Sequence, residues 1–399
     1  MHIRDPIHGF INLDELEAEV AQTYEFQRLR FISQLGTTSW VYPGCMHSRF
    51  EHSLGVLYLA KTVLERLSFS NLNLEEPDER IFRFASLLHD IGHAPFSHAG
   101  EEAKIFKNGL GHELMGEAII RNSKIGKILS KALGSESIER IVFIMKGAEG
   151  KLISKVDTLF SDLLAGQAGI DRMDYLLRDS HYSGVTYGKC DLPRLLETIR
   201  YNEENDLYWE EGGIHALEQF IFARYFMFKD VYFHKTRRIL DYHLSKIMKA
   251  FLVENGGEEF LPVDVGKYLQ LNDDVIKLYI LRNKDASNIF INRGFYRLIG
   301  RESSDHPNEA ELLLWDWLET ELSRKFGSDI YFDKAEKAPY KFEKVDRINV
   351  QLGGKIIPLQ EASKLVDRLM PIRKRRVYAP IGKRSDVFKF VKSFLDERR

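Results

Sequence analysis

Residues 83–100 read RFASLLHDIGHAPFSHAG and set three histidines and an aspartate, His89, Asp90, His93 and His98, in one apolar frame. An adjacent His-Asp pair can offer a metal one neutral imidazole and one carboxylate from a single backbone segment, a donor set suited to a hard or borderline divalent cation. The pattern predicts a helix over about 77–91, opened by Pro77 in its first turn, with the His-Asp pair near its C-terminus. His89 and His93, four residues apart, are expected to share one helix face. Taken alone, a His-Asp pair is more often a hydrogen-bonded pair inside a packed helix. Its neighbours in the chain change that reading.

Upstream, RFEHSLG (49–55) opens an apolar helical pattern and places Arg49 three residues before His52. Downstream, GIDRMDYLLRD (169–179) puts Asp171, Asp174, Tyr175 and Arg178 on one face of a helix, a spacing that also suits ordinary surface ion pairs. The order His, His-Asp, Asp across these segments, with RFEHSLG, LLHDIGHAPFSHAGE and GIDRMDYLLRD as their flanks, resembles the HD-domain phosphohydrolases, and most closely the dNTP triphosphohydrolase branch typified by the SAM and HD domain-containing dNTPases. The resemblance runs over about residues 1–250, as several separate motifs in register. It implies a mainly α fold: an HD-domain helical core over 1–255 and, by a change of texture near 255, a smaller mixed α+β region over 256–399.

The resemblance assigns His52, His89, Asp90 and Asp171 as metal ligands, holding one divalent cation drawn from Mn, Mg, Fe, Zn, Co or Ni. It makes His98 the general acid to the departing 5′-oxygen, His93 a phosphate contact, and Glu101 and His112 supports of the site. Histidine is suited to such work because it holds or releases a proton near neutral pH. Arg49 and Arg172 match the phosphate-binding cations, against the blander reading of local ion pairs. Gln34 and Leu35 match positions facing deoxyribose, and Tyr175, Asp179, Arg224 and Tyr232 match positions lining the substrate cleft. Phe233 stands where the best-studied branch has a polar residue, which weakens base recognition at that point.

The 399 residues, 44% of them hydrophobic, suffice for a sizeable core in one or two domains. Fifty-seven basic against 59 acidic residues leave a formal charge of −2, so no global attraction draws the chain to nucleic acid or an anionic membrane. Two cysteines, Cys45 and Cys190, exclude a disulfide framework, and a cytoplasmic setting is expected. The start, MHIRDPIHGF, is no signal peptide, and no run is long and apolar enough to span a bilayer.

Along the chain, residues 3–10 read as a short extended or turn segment. Asn12 is the expected cap of a helix over 13–22, and Phe26, Leu29 and Ile32 mark a second helix before Gly36, on which Gln27, Arg28 and Arg30 read as a solvated basic face. Further helices are expected at 52–67, 136–146, 152–164 and 168–181. A glycine-containing joint at 108–111 leaves His112 open to being a plain surface residue. A hairpin is expected at 198–209, with a polar turn at 202–206, then one long helix from His215 to Val253 carrying Arg224, Tyr232, Arg237 and Arg238. Beyond lie helices at 263–282, 308–326 and 360–369, a Gly-Gly hairpin near 343–359 and a strand at 376–380. The run 373–376, RKRR, could bind nucleic acid or a nucleotide phosphate, but a solvated edge strand is the favoured reading.

Three functions are therefore weighed: a dNTP triphosphohydrolase; an HD hydrolase acting on another nucleotide or phosphate ester; and a nucleotide-sensing or nucleic-acid-binding protein with a degenerate site. No HD-GYP signature supports the cyclic-dinucleotide branch. Gln34, Leu35 and Tyr232 favour the first. In regulated relatives the segment 1–36 lies at subunit contacts and binds an activating nucleotide, so a homo-oligomer, dimer or tetramer, is implied, with Arg4, Gln27 and Arg30 as regulatory contacts. Arg4 stands where the mammalian enzyme has asparagine, and Gln22 where it has the aspartate that reads guanine, so strict dependence on GTP is not expected.

Overall fold

A computed structural model describes residues 1–68, 74–102, 104–107, 111–147, 154–202, 207–338, 340 and 347–398. The chain starts with a hairpin, β1 (His2–Asp5) and β2 (Gly9–Asn12), followed by α1 (Glu15–Ala21) and α2 (Tyr24–Gln27). The helical core continues with α3 (Arg49–Ser68), α4 (Glu76–Leu88), α5 (His98–Glu102), α6 (His112–Asn122), α7 (Lys124–Leu133), α8 (Glu136–Met145), α9 (Lys155–Ala165) and α10 (Ile170–Ser183). Next come α11 (Leu192–Thr198), the hairpin β3 (Ile199–Tyr201) and β4 (Leu207–Trp209), α12 (Ile214–Phe226) and α13 (Lys235–Gly256). The remainder holds α14 (Val265–Leu269), α15 (Asp273–Arg282), α16 (Lys284–Phe290), β5 (Arg297–Glu302), α17 (Glu309–Phe326), β6 (Tyr331–Lys337), β7 (Asn349–Leu352), β8 (Lys355–Pro358), α18 (Leu359–Ala362), α19 (Lys364–Asp367), β9 (Ile372–Ala379) and α20 (Arg384–Asp396).

The architecture is mainly helical with small sheets. Helix α3 packs between α4 and α10, and α4 between α3 and α8, so the segments bearing His52, His89-Asp90 and Asp171 come from adjoining helices. Phe82, Phe84, Leu57 and Leu176 on these helices, and Phe160 of α9 stacked on Phe82, are 1% exposed or less. Burying each such side chain contributes about 1.5–3 kcal/mol. The hairpin β7–β8, turned by Gly353 and Gly354 at positive φ, extends the β3–β4 hairpin through a parallel β4–β7 pair. A second apolar core, built from β5, β6, β9, α17 and α20, lies wholly within residues 299–395.

Several expectations need correction. The cap of α1 is Asp14, which forms a reciprocal capping box with Glu17, whereas Asn12 is a strand residue. The second helix is one turn, α2, continued as a 3-10 turn over Arg28–Phe31, and Arg28 is buried, donating to the carbonyls of Leu271 (2.9 Å) and His93 (3.0 Å). His89 and His93 do not share a helix face, because α4 stops at Leu88 and the chain turns. A β-carbon at Gly92 would collide with the His112 carbonyl, and Phe96 and Ser97 adopt positive φ (59° and 54°), a cost tolerated where a site over-determines the backbone.

The long helix expected over 215–253 is broken. A π-helical segment, Met227–Tyr232, follows α12, and the His234 side chain then caps α13 at Thr236 N–H. Likewise 263–282 divides where Asn272 caps α15, and 360–369 divides where Ser363 caps α19. The run 373–376 is no solvated edge: β9 is the central strand of the sheet ordered β5-β9-β6, and Lys374, Arg375 and Arg376 are buried. Their charge is met by residues distant in sequence, Asp305 for Lys374 and, for Arg376, Glu302 at 2.7 Å and Asp333 at 3.6 Å. All but the first residue of the expected polar turn at 202–206, all but the last of the joint at 108–111, and the beginnings of the 152–164 helix and 343–359 hairpin lie outside the described residues.

Candidate active site and metal centre

Helix α3 starts at Arg49, so Arg49 and His52 fall on its first turn, facing the turn that leaves α4. His52 Nε2 lies 3.0 Å from Asp171 Oδ1, 3.2 Å from His89 Nε2 and 3.5 Å from Asp90 Oδ2. His89 Nε2 lies 3.3 Å from Asp90 Oδ1 and 3.6 Å from Asp171 Oδ1. Donor atoms of His52, His89 and Asp171 all lie within 4.8 Å of one another, so this group could hold a metal ion, and Asp90 borders it. The four residues assigned as ligands are thus together, on three separate segments.

The surroundings fit a cation. A metal-bound histidine usually has its second ring nitrogen fixed by a carboxylate or a backbone carbonyl. Here His89 Nδ1 faces the Ser86 carbonyl at 2.9 Å and His52 Nδ1 faces Asp174 Oδ2 at 2.7 Å, which turns both Nε2 atoms toward the acidic cluster. Burial works against charge on Asp90, but Arg49, His89 and His93 outweigh it and hold that carboxyl well below the usual range. For Asp171 burial is likewise outweighed, by His52 and His89, and the carboxyl stays ionised. Burial presses His52 toward neutrality, yet Asp171, Asp174 and Asp90 overcome it and raise its pKa to about 10. A positive charge is called for at the point where the carboxylates converge.

Beside this cluster lies a second one, on the turn after α4 and the starts of α5 and α6. The Glu101 carboxylate meets Nδ1 of His93 (3.1 Å), His98 (2.9 Å) and His112 (2.8 Å), and the His93 and His112 rings stack at 3.9 Å. His112 is therefore tied into the cluster through Glu101. Burial with Arg49 and His112 nearby lowers the His93 pKa to about 4, whereas Glu101 raises that of His112 against the effect of burial. His98 is the exposed member of the cluster. Arg49 ties the first cluster to the turn before α5, donating to Asp90 Oδ2 (2.6 Å) and to Ser97 Oγ (2.9 Å).

A cavity of about 570 Å³ opens over both clusters. His89, Asp90 and Asp171 line it together with Arg49, Arg172, His93, His98, Glu101, His112, Gln34, Leu35, Tyr175, Asp179, Arg224 and Tyr232. The Tyr232 hydroxyl donates to Asp179 Oδ2 at 2.7 Å, and His47 Nε2 fixes the other oxygen of that carboxylate at 2.7 Å. Burial and Asp179 together push the Tyr232 phenol well up, so it stays a donor. Three assigned residues lie elsewhere. Arg4 is exposed and stacks on Phe10, while Arg30 is exposed, stacks on Phe50 at 3.6 Å and donates to Gln27 Oε1.

Sequence reading missed several parts of the wall. Arg237 and Arg238 were in view only as members of a basic and aromatic helix. Glu336 and Lys337 reach the cavity from the end of β6, in a segment without any motif, and nothing local could have flagged them. Arg178, open to reading as a surface cation, is fully buried between Asp174 and Asp5.

Comparison with known proteins gives the same family from independent directions. The HD domain matches residues 49–162, and the HD associated region matches residues 190–302. The solved structure of a hypothetical protein from Aquifex aeolicus is similar over 98% of this chain and 99% of that one, at 32% identity and a TM-score of 0.84. A phosphohydrolase from Bacteroides thetaiotaomicron superposes with a TM-score of 0.77 at 26% identity, covering 95% of this chain and 99% of that one. The deoxynucleoside triphosphate triphosphohydrolase SAMHD1 homolog of Dictyostelium discoideum is 32% identical over 69% of this chain, which spans 54% of that longer protein. Among the described residues no helix is long and apolar enough to cross a membrane. With the His, His-Asp, Asp cluster at the meeting of α3, α4 and α10 and this pattern of relatives, the chain belongs to the HD-domain family of phosphohydrolases.

Proposed function

We propose that the protein hydrolyses dNTPs to deoxynucleoside and inorganic triphosphate, with His52, His89, Asp90 and Asp171 holding one divalent cation. The observation that carries the reading is the common wall: one cavity is lined by the acidic metal cluster, by Arg49 and Arg172, by the Glu101-tied histidines and by the Tyr232–Asp179 pair. A cation bound there supplies a Lewis acid for a phosphoryl oxygen and a water of lowered pKa. Arg49 and Arg172 neutralise the phosphate tail. His93, held neutral with a pKa of about 4, stands at the cavity wall between Glu101 and Asp90 and is assigned the phosphate contact. In the reaction a water oxygen bonds to the α-phosphorus and gives up one proton to solvent, the bond from that phosphorus to the 5′-oxygen breaks, and the leaving oxygen takes a proton from His98, which solvent then restores. With Nδ1 held by Glu101, His98 Nε2 is the atom that delivers it.

Gln34, Leu35 and Tyr232, which line the cavity, are assigned to its sugar side. Tyr232 is anchored by Asp179 and His47 and cannot easily retreat from an added 2′-hydroxyl. We expect kcat/KM for dGTP to exceed that for GTP by on the order of 10²-fold, as for a pocket that rejects one hydroxyl. Equal values would favour the second reading, a hydrolase of another nucleotide or phosphate ester. The segment 1–36 is assigned to a homo-oligomer contact, with Arg4, Gln27 and Arg30 meeting a regulatory nucleotide. Adding each second nucleotide to the same assay, with mass followed by light scattering, tests this. Activation by GTP alone, or a monomer at every concentration, contradicts it.

A further inference from the structure

We propose that the N-terminal hairpin is a working part of the metal centre: His8 is a positioning residue that sets the ring of His52 through the Asp174 carboxylate, so metal affinity depends on the hairpin being seated. The proposal rests on the reading of His52 as a metal ligand.

The argument is one of saturation. A carboxylate offers about four in-plane acceptor positions. On Asp174 all four are used: Oδ1 by His8 Nε2 (2.7 Å) and Arg178 Nη2 (2.9 Å), and Oδ2 by His52 Nδ1 (2.7 Å) and Arg178 Nε (2.8 Å). His52 Nδ1 is therefore committed to Asp174, and Nε2 is the ring atom that faces Asp171, Asp90 and His89 and would be offered to a cation. The side chains of His8, His52, Asp174 and Arg178 are 3% exposed or less, so water cannot replace a missing donor.

His8 is itself held at three points. Its ring stacks on Tyr58 at 4.7 Å. Its backbone N–H and that of Ile7 both donate to Asp5 Oδ1 at 2.9 Å. Asp5 Oδ2 in turn accepts from Arg178 Nη1 at 2.8 Å. Asp5, His8, Asp174 and Arg178 thus close a ring of contacts between the β1–β2 turn and α10. Without the His8 donor, Asp174 keeps one buried, unsatisfied lone pair beside Arg178, and the carboxylate is expected to shift to satisfy it and to carry the His52 ring with it.

The test compares His8→Phe, which keeps an aromatic face for Tyr58 but donates nothing, with His8→Gln, whose amide N–H can reach Asp174. Mn²⁺ affinity of the full-length protein is measured by competition with a chelator, alongside near-UV circular dichroism. His8→Phe is expected to weaken Mn²⁺ binding by about 10- to 100-fold, the usual effect of losing such an outer partner, while His8→Gln stays within about threefold of wild type. Excess Mn²⁺ should restore the turnover of His8→Phe, which general damage to the fold would not allow. Asp5→Asn, which loosens the grip on Arg178 without changing volume, should shift affinity the same way and serves if His8→Phe does not fold. Wild-type binding with unchanged affinity in the variants overturns the proposal alone. A wild-type protein that binds no divalent cation overturns the reading of the site, and the proposal with it.

Discussion

Replacing His89 and Asp90 together with alanine is expected to remove the bound metal and to lower kcat/KM for a dNTP by about 10³-fold or more. A metal that polarises a phosphoryl oxygen supplies several kcal/mol, and each 1.36 kcal/mol is about tenfold in rate. The change takes one imidazole and one carboxylate from a cluster in which every donor is within 3.6 Å of another. It also leaves the buried Arg49 without its 2.6 Å partner, and breaking a buried pair costs about 3–5 kcal/mol. Asp90→Asn, which keeps an acceptor for Arg49, separates the two effects: metal and activity are lost while the thermal midpoint holds. Full metal content with ordinary turnover in the double variant would sink the ligand assignment.

The second large effect is on stability, and its sign is the reverse of the usual one. Glycine inside a helix is about 0.5–1 kcal/mol worse than alanine, so Gly→Ala normally helps. Gly55, in the middle of α3, is an exception: a β-carbon there would overlap Asp174 Oδ1 and Arg178 Nη2. Asp174 Oδ1 belongs to the saturated carboxylate that faces His52, Arg178 Nη2 is one of its donors, and displacing them leaves buried charges unpaired. Gly55→Ala is therefore expected to lose about 3 kcal/mol of stability, seen as a lower urea midpoint, and to weaken metal binding. A stabilised variant with unchanged metal affinity would show that α3 and α10 tolerate more separation than the packing implies.

What could be read from the sequence divides along a physical line. That His52, His89, Asp90 and Asp171 come together was legible because each lies in a short segment whose neighbours carry the pattern, and Arg49, His93 and His98 line the same cavity. Asp174 was visible as a residue on the Asp171 face, but its contact with His8, 166 positions away, is reported by no local spacing. The basic run 373–376 misled for the same reason. Charge in one strand reads as solvated, and only folding brings Asp305, Glu302 and Asp333 to it. Helix boundaries failed where a side-chain cap or a π-helical turn interrupts a continuous apolar pattern, as at His234 and Asn272.

The central claim is the bond that breaks. Metal-loaded protein is given dGTP in ¹⁸O-enriched water, and the products are identified by ³¹P NMR and mass spectrometry. The account predicts deoxyguanosine and intact triphosphate in equal amounts, with the solvent oxygen in the triphosphate. Release of orthophosphate or pyrophosphate, solvent oxygen in the nucleoside, or no turnover by protein carrying its metal would contradict it.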